Sequence, residues 1–343
     1  MIDLRSDLLG PRPPGVAAAV RAAAARAPAM EYGEDPDERA LMDELQAELG
    51  VEAVVFVPTC TMANQIAIRL HLPQGGQLAS AARAHVVTVE ARATALTGAA
   101  PGVLPDNNGH LSPSTVSAFL ARLEPGDAAL VWLENTHMLS GGSVMPRRWQ
   151  PEIGAICRAA GVAVHLDGSR LWNAAVAQDA PMSRLIAGCD TAAISLNKAI
   201  GAPLGSVLCG SRSAVDEAVR WRDALGGGWR PLGGVAAAAR AAVKGWRDRL
   251  ATDAAMARAL AEALNARLGE ATVQTPETNL IFLDRPRGDA VAFVETLAHH
   301  GVRTIALGRT RIRLALHGGV REGEVAAIAA AVEAAAAGDG QAS

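Results

Sequence analysis

The sequence predicts an α/β protein in which a mainly parallel β-sheet is covered by helices on both faces. Short apolar runs with strand character alternate with longer helical runs, a pattern typical of parallel sheets. Half of the residues are hydrophobic, yet only 3% are aromatic. Alanine dominates instead, which favours a helical shell over an all-β architecture.

The expected elements follow in chain order. For the first part of the chain we expect helices at 15–27 and 38–49, a strand at 51–57, a helix opening near Thr61, strands at 85–89 and 128–133, a helix at 151–160, and strands at 161–167, 191–196 and 205–209. A long connector helix at 233–266 precedes strands at 279–283, 302–306 and 311–316, interleaved with helices at 288–299 and 321–336. This second pattern predicts a small α+β domain.

We therefore predict four regions. They are an N-terminal segment for substrate and interface contacts at 1–14, a large α/β domain at 15–240, the connector helix with the small α+β domain at 241–336, and a disordered tail at 337–343.

Composition argues against several classes of function. A formal net charge of −3 without basic runs disfavours nucleic acid as a partner. The first residues lack an apolar signal segment, and no run of 18 apolar residues occurs, so we expect neither a signal peptide nor a membrane span. Four scattered cysteines without paired or metal-ligand spacing indicate reduced thiols in a cytoplasm and no zinc site.

The scarcity of lysine is the most informative feature of the chain. Only two lysines occur beside thirty arginines, and arginine cannot replace an amine that must lose its proton and act as a nucleophile. Lys244 lies on a polar helical face and is expected to be a solvated charge. Lys198 follows an apolar strand and precedes a glycine-bounded turn, where a partly desolvated amine favours Schiff-base chemistry.

A carboxylate at the end of another strand complements this lysine. Asp167 closes the apolar run from Gly161, and open α/β sheets bind ligands at such strand ends. It precedes Lys198 by about one strand–helix–strand unit, so both can flank one crevice. A carboxylate facing a pyridine nitrogen keeps that nitrogen protonated, as the electron sink of pyridoxal 5′-phosphate (PLP) requires. Taken alone, Asp167 could simply cap the following turn.

Thr59, Cys60 and Thr61 are candidates for binding a phosphate. They lie between a strand and a helix, where backbone N–H groups and the helix dipole attract anions, although a plain threonine N-cap explains them equally well. Neither of the glycine-rich nucleotide fingerprints is present. A dinucleotide-dependent oxidoreductase therefore loses its usual support.

Histidines and arginines supply the remaining candidates. His85 and His137 could each stack on a flat ring or exchange a proton near neutral pH. Arg313 lies inside an apolar strand, where an arginine is costly without an anionic partner, and is a candidate for a substrate carboxylate. Arg170 and Arg230, which follows a glycine-rich stretch, complete the set of candidate arginines. Four further histidines receive no role: His71, His110, His299 and His300.

Eight segments, in this order along the chain, carry a resemblance to a known family. They are Leu4–Asp7, Tyr32–Pro36, Pro58–Gln65, Leu133–His137, His165–Ala174, Lys198 with Gly201–Ser206, Gly226–Arg230 and Ile312–Leu314. Together they are similar to the low-specificity L-threonine aldolases, which belong to the β-eliminating lyase family of fold-type I (aspartate aminotransferase-like) PLP enzymes. The resemblance runs from residue 2 to about 320.

The resemblance implies roles for the matched residues. Lys198 would hold PLP covalently, Asp167 would pair with its pyridine nitrogen and His85 would stack on its ring. The phosphate would be bound by Thr59, Cys60, Thr61 and, from a neighbouring subunit, Arg230. Ser6, Arg170 and Arg313 would bind the substrate carboxylate, with Arg170 also among the cofactor contacts. His137, His85 and Tyr32 would lie near the substrate hydroxyl.

The implied activity is cleavage of L-threonine, L-allo-threonine or a related β-hydroxy-α-amino acid to glycine and an aldehyde, with His85 or His137 as the base, directly or through water. The implied assembly is a homodimer or homotetramer with shared active sites. Alternatives are β-elimination from a β-substituted amino acid and a catalytically inactive scaffold on the same fold.

Three short segments depart from the family pattern. Cys60 replaces a glycine, so we expect a side chain where a positive φ is possible. Met138 and Leu139 replace polar residues after the Glu-Asn-Thr-His segment. The aromatic residues of the family are replaced here by Val86, Val87, Thr88 and Val89. This predicts a more open or apolar pocket and a bulkier substrate such as phenylserine.

Overall fold

The computed structural model describes residues 1–269, 273–285 and 289–339. The strands are β1 (Ile2–Asp3), β2 (Ala53–Val57), β3 (Gly76–Ala81), β4 (Ala99–Leu104), β5 (Ala129–Glu134), β6 (Ala163–Gly168), β7 (Thr191–Ser195), β8 (Ser206–Gly210), β9 (Leu280–Asp284), β10 (Val302–Arg303), β11 (Ile305–Ala306) and β12 (Arg311–Ala315). The helices are α1 (Val16–Ala24), α2 (Pro36–Leu49), α3 (Cys60–His71), α4 (Ala91–Ala95), α5 (Pro113–Leu120), α6 (Trp149–Ala159), α7 (Leu171–Ala177), α8 (Met182–Ile186), α9 (Arg212–Ala224), α10 (Gly233–Val243), α11 (Trp246–Leu268), α12 (Ala290–His299) and α13 (Val325–Asp339).

The chain forms two compact units, residues 12–244 and residues 1–11 with 245–343. The segment predicted to stand alone at 1–14 is thus divided, with its first eleven residues in the smaller unit. Of the predicted tail, residues 337–339 end α13 and the remainder lies outside the described residues. Residue 288, the predicted first residue of a helix, is also outside them.

The larger unit is built on a seven-stranded sheet in the order β2-β8-β7-β6-β5-β3-β4. Only β8 runs against its neighbours, β2 and β7; the other pairings are parallel. The smaller unit holds an antiparallel sheet in the order β11-β12-β9 and the short parallel pair β1-β10. The predicted α/β class, with a mainly parallel sheet and a small C-terminal α+β part, is confirmed.

Local sequence explains how the helix that matters most for function begins. Thr59 is the N-cap of α3, with extended backbone angles and a side chain that accepts a hydrogen bond from the Met62 amide, as N-cap residues typically do. The buried face of α3 then packs its small and branched side chains against β2 and β8. This packing fixes the first turn of α3 against the sheet edge.

Three predicted elements were wrong. The strand predicted at 302–306 is two short strands, β10 and β11, which belong to different sheets. Residues 85–89 form no strand; His85–Val87 is a 3-10 turn, and its place in the sheet is taken by β3, whose small residues gave no strand signal. The connector at 233–266 is two helices, because Gly245 takes a left-handed conformation with φ of 62° that ends α10 and starts α11.

Within the described residues, we find no helix with the length and apolar character required to cross a bilayer.

We expect Gly154→Ala to destabilise the larger unit by about 2 kcal/mol, within the range for overpacked sites. A Cβ at Gly154 in α6 would lie 2.3 Å from the carbonyl oxygen of Gly188, so backbone must move. The midpoint of urea unfolding measures the effect. Gly234→Ala in α10 is the matched control, since a Cβ there meets nothing within 4 Å and alanine favours the helix; equal midpoints for both variants would contradict the expectation.

Candidate active site

Six strands of the large sheet share one direction and end at one edge, and candidate residues of this unit lie at or just after the ends of several of them. The strands β5, β6 and β7 are mutually parallel, and β2 shares their direction because both β2 and β7 oppose β8. Their carboxyl ends therefore place Glu134, Asp167, the turn of Lys198 and the start of α3 along the same edge. Parallel sheets bind ligands at this edge.

Asp167 is a buried but ionised carboxylate at the end of β6. It is 1% exposed and accepts hydrogen bonds from Asn64 Nδ2 at 2.9 Å and from the Ser169 amide at 3.0 Å. Burial alone would raise the pKa of Asp167, but the charges on His85 and Lys198 and these two hydrogen bonds hold it below its usual range. The site therefore contains a fixed negative charge shielded from water.

His85 lies between acidic groups and keeps 24% of its side chain exposed. Its amide donates to Glu134 Oε2 at 2.7 Å, and its Nδ1 lies 3.2 Å from Glu90 Oε1. Burial lowers the pKa of His85, but Glu90, Asp167 and Glu134 outweigh this and raise it above its usual value. The imidazole is thus held in place while part of its surface stays open.

The first turn of α3 presents Cys60 and Thr61 at the same edge. Their amide groups have no acceptor within the helix, as for any first turn. Cys60 is the first residue of the helix and has no positive φ, so the backbone strain expected for a side chain at this position is absent. Its Sγ accepts from Ser169 Oγ at 3.1 Å, and burial together with Asp167 raises the pKa of its thiol to about 12. Thr61 Oγ1 donates to Glu90 Oε1 at 2.7 Å.

Lys198 and Arg170 follow the neighbouring strands β7 and β6. Lys198 is half-buried in the turn after β7, close enough for its charge to act on both Asp167 and Cys60. Arg170 is 5% exposed and directly precedes α7. The structure therefore brings the amine, the carboxylate and the helix start to one edge, as the sequence predicted.

His137 is placed differently from His85. Its side chain is fully buried, its Nδ1 lies 2.9 Å from Ser140 Oγ, and its ring packs against Gly109, where a Cβ would come within 2.2 Å. Burial and the charge of Arg83 lower the pKa of His137 to about 4. In this chain the ring is neutral and is enclosed by protein.

Two arginines pack over the ring of Tyr32. The guanidinium carbon of Arg222 lies 4.0 Å from the centre of its ring and that of Arg230 lies 4.3 Å away, within cation–π range. Arg222 is buried and its Nε donates to Asp223 at 3.0 Å, whereas Arg230 is exposed. Tyr32 thus holds the exposed Arg230 against the surface of the larger unit.

Ser6 and Arg313 belong to the smaller unit. Ser6 caps the 3-10 turn at Asp7–Leu9, accepting from the Leu8 amide at 3.3 Å. Arg313 lies on β12, is 9% exposed, and donates from Nη2 to the Arg5 carbonyl at 2.7 Å. Within this unit the arginine is thereby tied to the segment that carries Ser6.

Sequence reasoning missed three residues at the edge: Asn64, Glu90 and Glu134. Asn64 Nδ2 donates to Glu90 at 3.2 Å as well as to Asp167. Glu134 is buried, and its neighbour Asp167 adds to burial in raising the pKa of Glu134. Asn64 and Glu134 lay within segments noted for the family resemblance, but Glu90 had no sequence signal beyond its position five residues after His85.

Known proteins resemble this chain over nearly its whole length. Residues 3–285 match the family model described as β-eliminating lyase. The low specificity L-threonine aldolase of Escherichia coli is 34% identical over 342 residues, covering 96% of this chain and 98% of that protein. Low-specificity L-threonine aldolase 1 of Arabidopsis thaliana is 33% identical over 332 residues, covering 92% and 91%.

A solved structure shares the fold at lower identity. The threonine aldolase of Leishmania major superposes with a TM-score of 0.85 at 19% identity, covering 97% of this chain and 99% of that one. This match confirms the predicted fold class. From the match of the family model and the relatives at about one third identity over nearly the whole length, we conclude that this chain belongs to the β-eliminating lyase family.

Proposed function

We propose that this chain binds PLP and cleaves β-hydroxy-α-amino acids, among them L-threonine and L-allo-threonine, to glycine and an aldehyde. The observation that carries the proposal is the buried, ionised Asp167 beside the charge of Lys198. Membership of a family whose relatives include L-threonine aldolases supports the same reaction.

The residues at the sheet edge suit PLP. A pyridine nitrogen that must stay protonated needs an ionised partner, and the carboxylate of Asp167 is ionised without access to water. The first-turn amides of Cys60 and Thr61 suit a phosphate, and Arg230 would add a positive charge. Lys198 is the amine available for covalent attachment, and His85 would cover one face of the ring.

The chain's own residues then bind and orient the substrate. Arg170 would bind its carboxylate, since a planar guanidinium group matches a carboxylate well. Holding the carboxylate fixes the rotation about the bond to be broken. When bound, PLP supplies the electron sink that stabilises negative charge at the α-carbon. Tyr32 packs against Arg230. If Arg230 binds the cofactor phosphate, Tyr32 would therefore also lie near the substrate.

His85 is the histidine better suited to take the proton of the β-hydroxyl group. It is partly exposed, whereas the side chain of His137 is fully enclosed. A base works best when its pKa lies near the working pH; the pKa of His137 is lowered to about 4, whereas that of His85 is raised. His137 would then stabilise the loop next to the site through its hydrogen bond to Ser140.

We also propose that the protein is a homo-oligomer whose subunits share active sites, and that small amino acids are its substrates. Arg230 is exposed on the single chain yet held by Tyr32. An arginine fixed in this way is suited to reach an anion in a neighbouring subunit.

We expect Lys198→Ala to lose aldehyde release from L-threonine and L-allo-threonine altogether, because no other residue supplies the amine. The assay measures aldehyde and glycine in equal amounts from PLP-loaded protein. Lys244→Ala, which alters the only other lysine of the sequence, is the matched control and should keep wild-type rates.

Other substrates distinguish threonine cleavage from the two alternatives, a bulkier β-hydroxy amino acid and β-elimination. Faster aldehyde release from phenylserine than from threonine would support the bulkier substrate predicted from residues 86–89. Pyruvate from a β-substituted substrate, without aldehyde from any β-hydroxy amino acid, would refute aldol cleavage and establish β-elimination.

We expect His85→Asn to lower kcat by roughly 10²–10⁴-fold, the usual contribution of a general base, while His137→Asn lowers it less.

Protonated His85 cannot accept a proton, so kcat/KM should rise as the pH increases through the pKa of His85. Glu90 raises that pKa; hence Glu90→Gln should lower it and move the acid limb of the pH profile of kcat/KM to lower pH. A limb that stays in place in Glu90→Gln would exclude His85 as the titrating base.

Subunit complementation tests the shared site. If Arg230 acts in the neighbouring subunit, a dimer of one Lys198→Ala chain and one Arg230→Ala chain contains one intact site. Random mixing of the two variants should therefore restore about one quarter of the wild-type sites. Activity equal to the average of the two separate variants would show that each site is completed by a single chain.

A further inference from the structure

A line of buried polar side chains runs from Asp167 to the far end of α3. In the sheet, His165 pairs with Thr191 of β7, and His165 and Asp167 share one face of β6 because side chains alternate along a strand. The helix α3 covers this face. Asn64 and His71, seven residues apart, lie on the same side of that helix.

The first link has a fixed direction. One terminal atom of the Asn64 side chain lies 2.9 Å from Asp167 Oδ2 and 3.2 Å from Glu90 Oε2. Ionised carboxylates only accept hydrogen bonds, so this atom must be the amide nitrogen. The Asn64 oxygen is therefore the atom that faces His165 Nε2, at 3.3 Å.

The donor and acceptor roles of Asn64 then determine those in the remaining hydrogen bonds. An amide oxygen only accepts, so His165 must carry its hydrogen on Nε2. Full burial lowers the pKa of His165 to about 3, which leaves Nδ1 as an acceptor for the Thr191 hydroxyl at 2.8 Å. The single hydroxyl hydrogen of Thr191 is then used, so its oxygen accepts from His71 Nε2 at 2.9 Å.

We propose that this one-directional chain of hydrogen bonds positions Asp167 and keeps its carboxylate ionised towards the cofactor. Its members are Asn64, His165, Thr191 and His71. They act on Asp167 and touch neither cofactor nor substrate, so they are positioning residues. The inference rests on the proposed function, in which Asp167 pairs with the pyridine nitrogen of PLP.

The physical effect follows from polarisation. Each hydrogen bond in a chain strengthens the next when all point the same way, and a low-dielectric surrounding increases the effect. Asn64, whose oxygen accepts from His165, is thus a stronger donor to Asp167 than an isolated amide. The ring of His165 is held by Trp132, with ring centres 4.4 Å apart. At the outer end, His71 lines an open cavity of about 460 Å³.

The protein without cofactor tests the direction of the chain. In protein labelled with ¹⁵N-histidine, NMR should show His165 as the neutral tautomer with hydrogen on Nε2 at neutral pH. His165→Gln assigns the signal by its loss. Hydrogen on Nδ1, or on both nitrogens, would overturn the proposal, because Thr191 could then no longer donate to His165.

The loaded protein tests the effect on Asp167. With PLP carrying ¹⁵N in its ring, we expect Thr191→Val to shift the pyridine nitrogen resonance towards the unprotonated form and to lower kcat by about 2- to 10-fold, the range for one net hydrogen bond. Thr191→Ser keeps the hydroxyl and should restore both values. His71→Leu breaks the chain at its half-buried end and should act in the same direction if Thr191→Val does not fold.

Thr94→Val is the matched control. Thr94 is as buried as Thr191, but its hydroxyl donates to the Val86 carbonyl outside the chain. An unchanged resonance in Thr191→Val and His71→Leu, or an equal shift in Thr94→Val, would refute the positioning role. The two ¹⁵N measurements need no turnover, so they remain decisive even if threonine is not cleaved. Conversely, aldehyde release with unshifted resonances would support the proposed function but refute the role of the hydrogen-bond chain.

Discussion

Keeping the Asp167 carboxylate ionised without water is the constraint on which the edge of the large sheet depends. Removing a carboxylate from water costs several kcal/mol unless charges and hydrogen bonds replace the lost solvation. Each neighbour of Asp167 meets part of that need: Asn64 and Ser169 donate hydrogen bonds, and Lys198 and His85 contribute positive charge. The parallel strands bring these donors together, so the topology and the charge of the site are linked.

His85 joins this carboxylate to two others. Glu90 faces its ring and Glu134 binds its backbone amide, so the imidazole is both oriented and kept basic. A histidine placed among three carboxylates is a stronger base than one in water, provided that its own burial is incomplete. His137, which lacks this partial exposure, shows the opposite outcome on the same sheet edge.

The residues that local patterns revealed are those whose chemistry is local. Lys198 was identified by the rarity of lysine, and Asp167 by its place at the end of an apolar strand. Asn64 acts through a contact 103 residues away in sequence, which no local pattern contains. β3 was missed for a related reason: its small residues have little strand preference, and its extended form is set by β4 and β5 on either side. The break at Gly245 depends on a backbone angle that an alanine-rich helical pattern conceals.

The thiol in the first turn of α3 has a consequence for the chemical durability of the site. Oxidants and alkylating reagents attack the thiolate form of cysteine. With its pKa raised to about 12, Cys60 offers almost no thiolate at physiological pH, and burial limits access to it as well. A potentially reactive sulfur can therefore lie at the helix start without making the site vulnerable to peroxide.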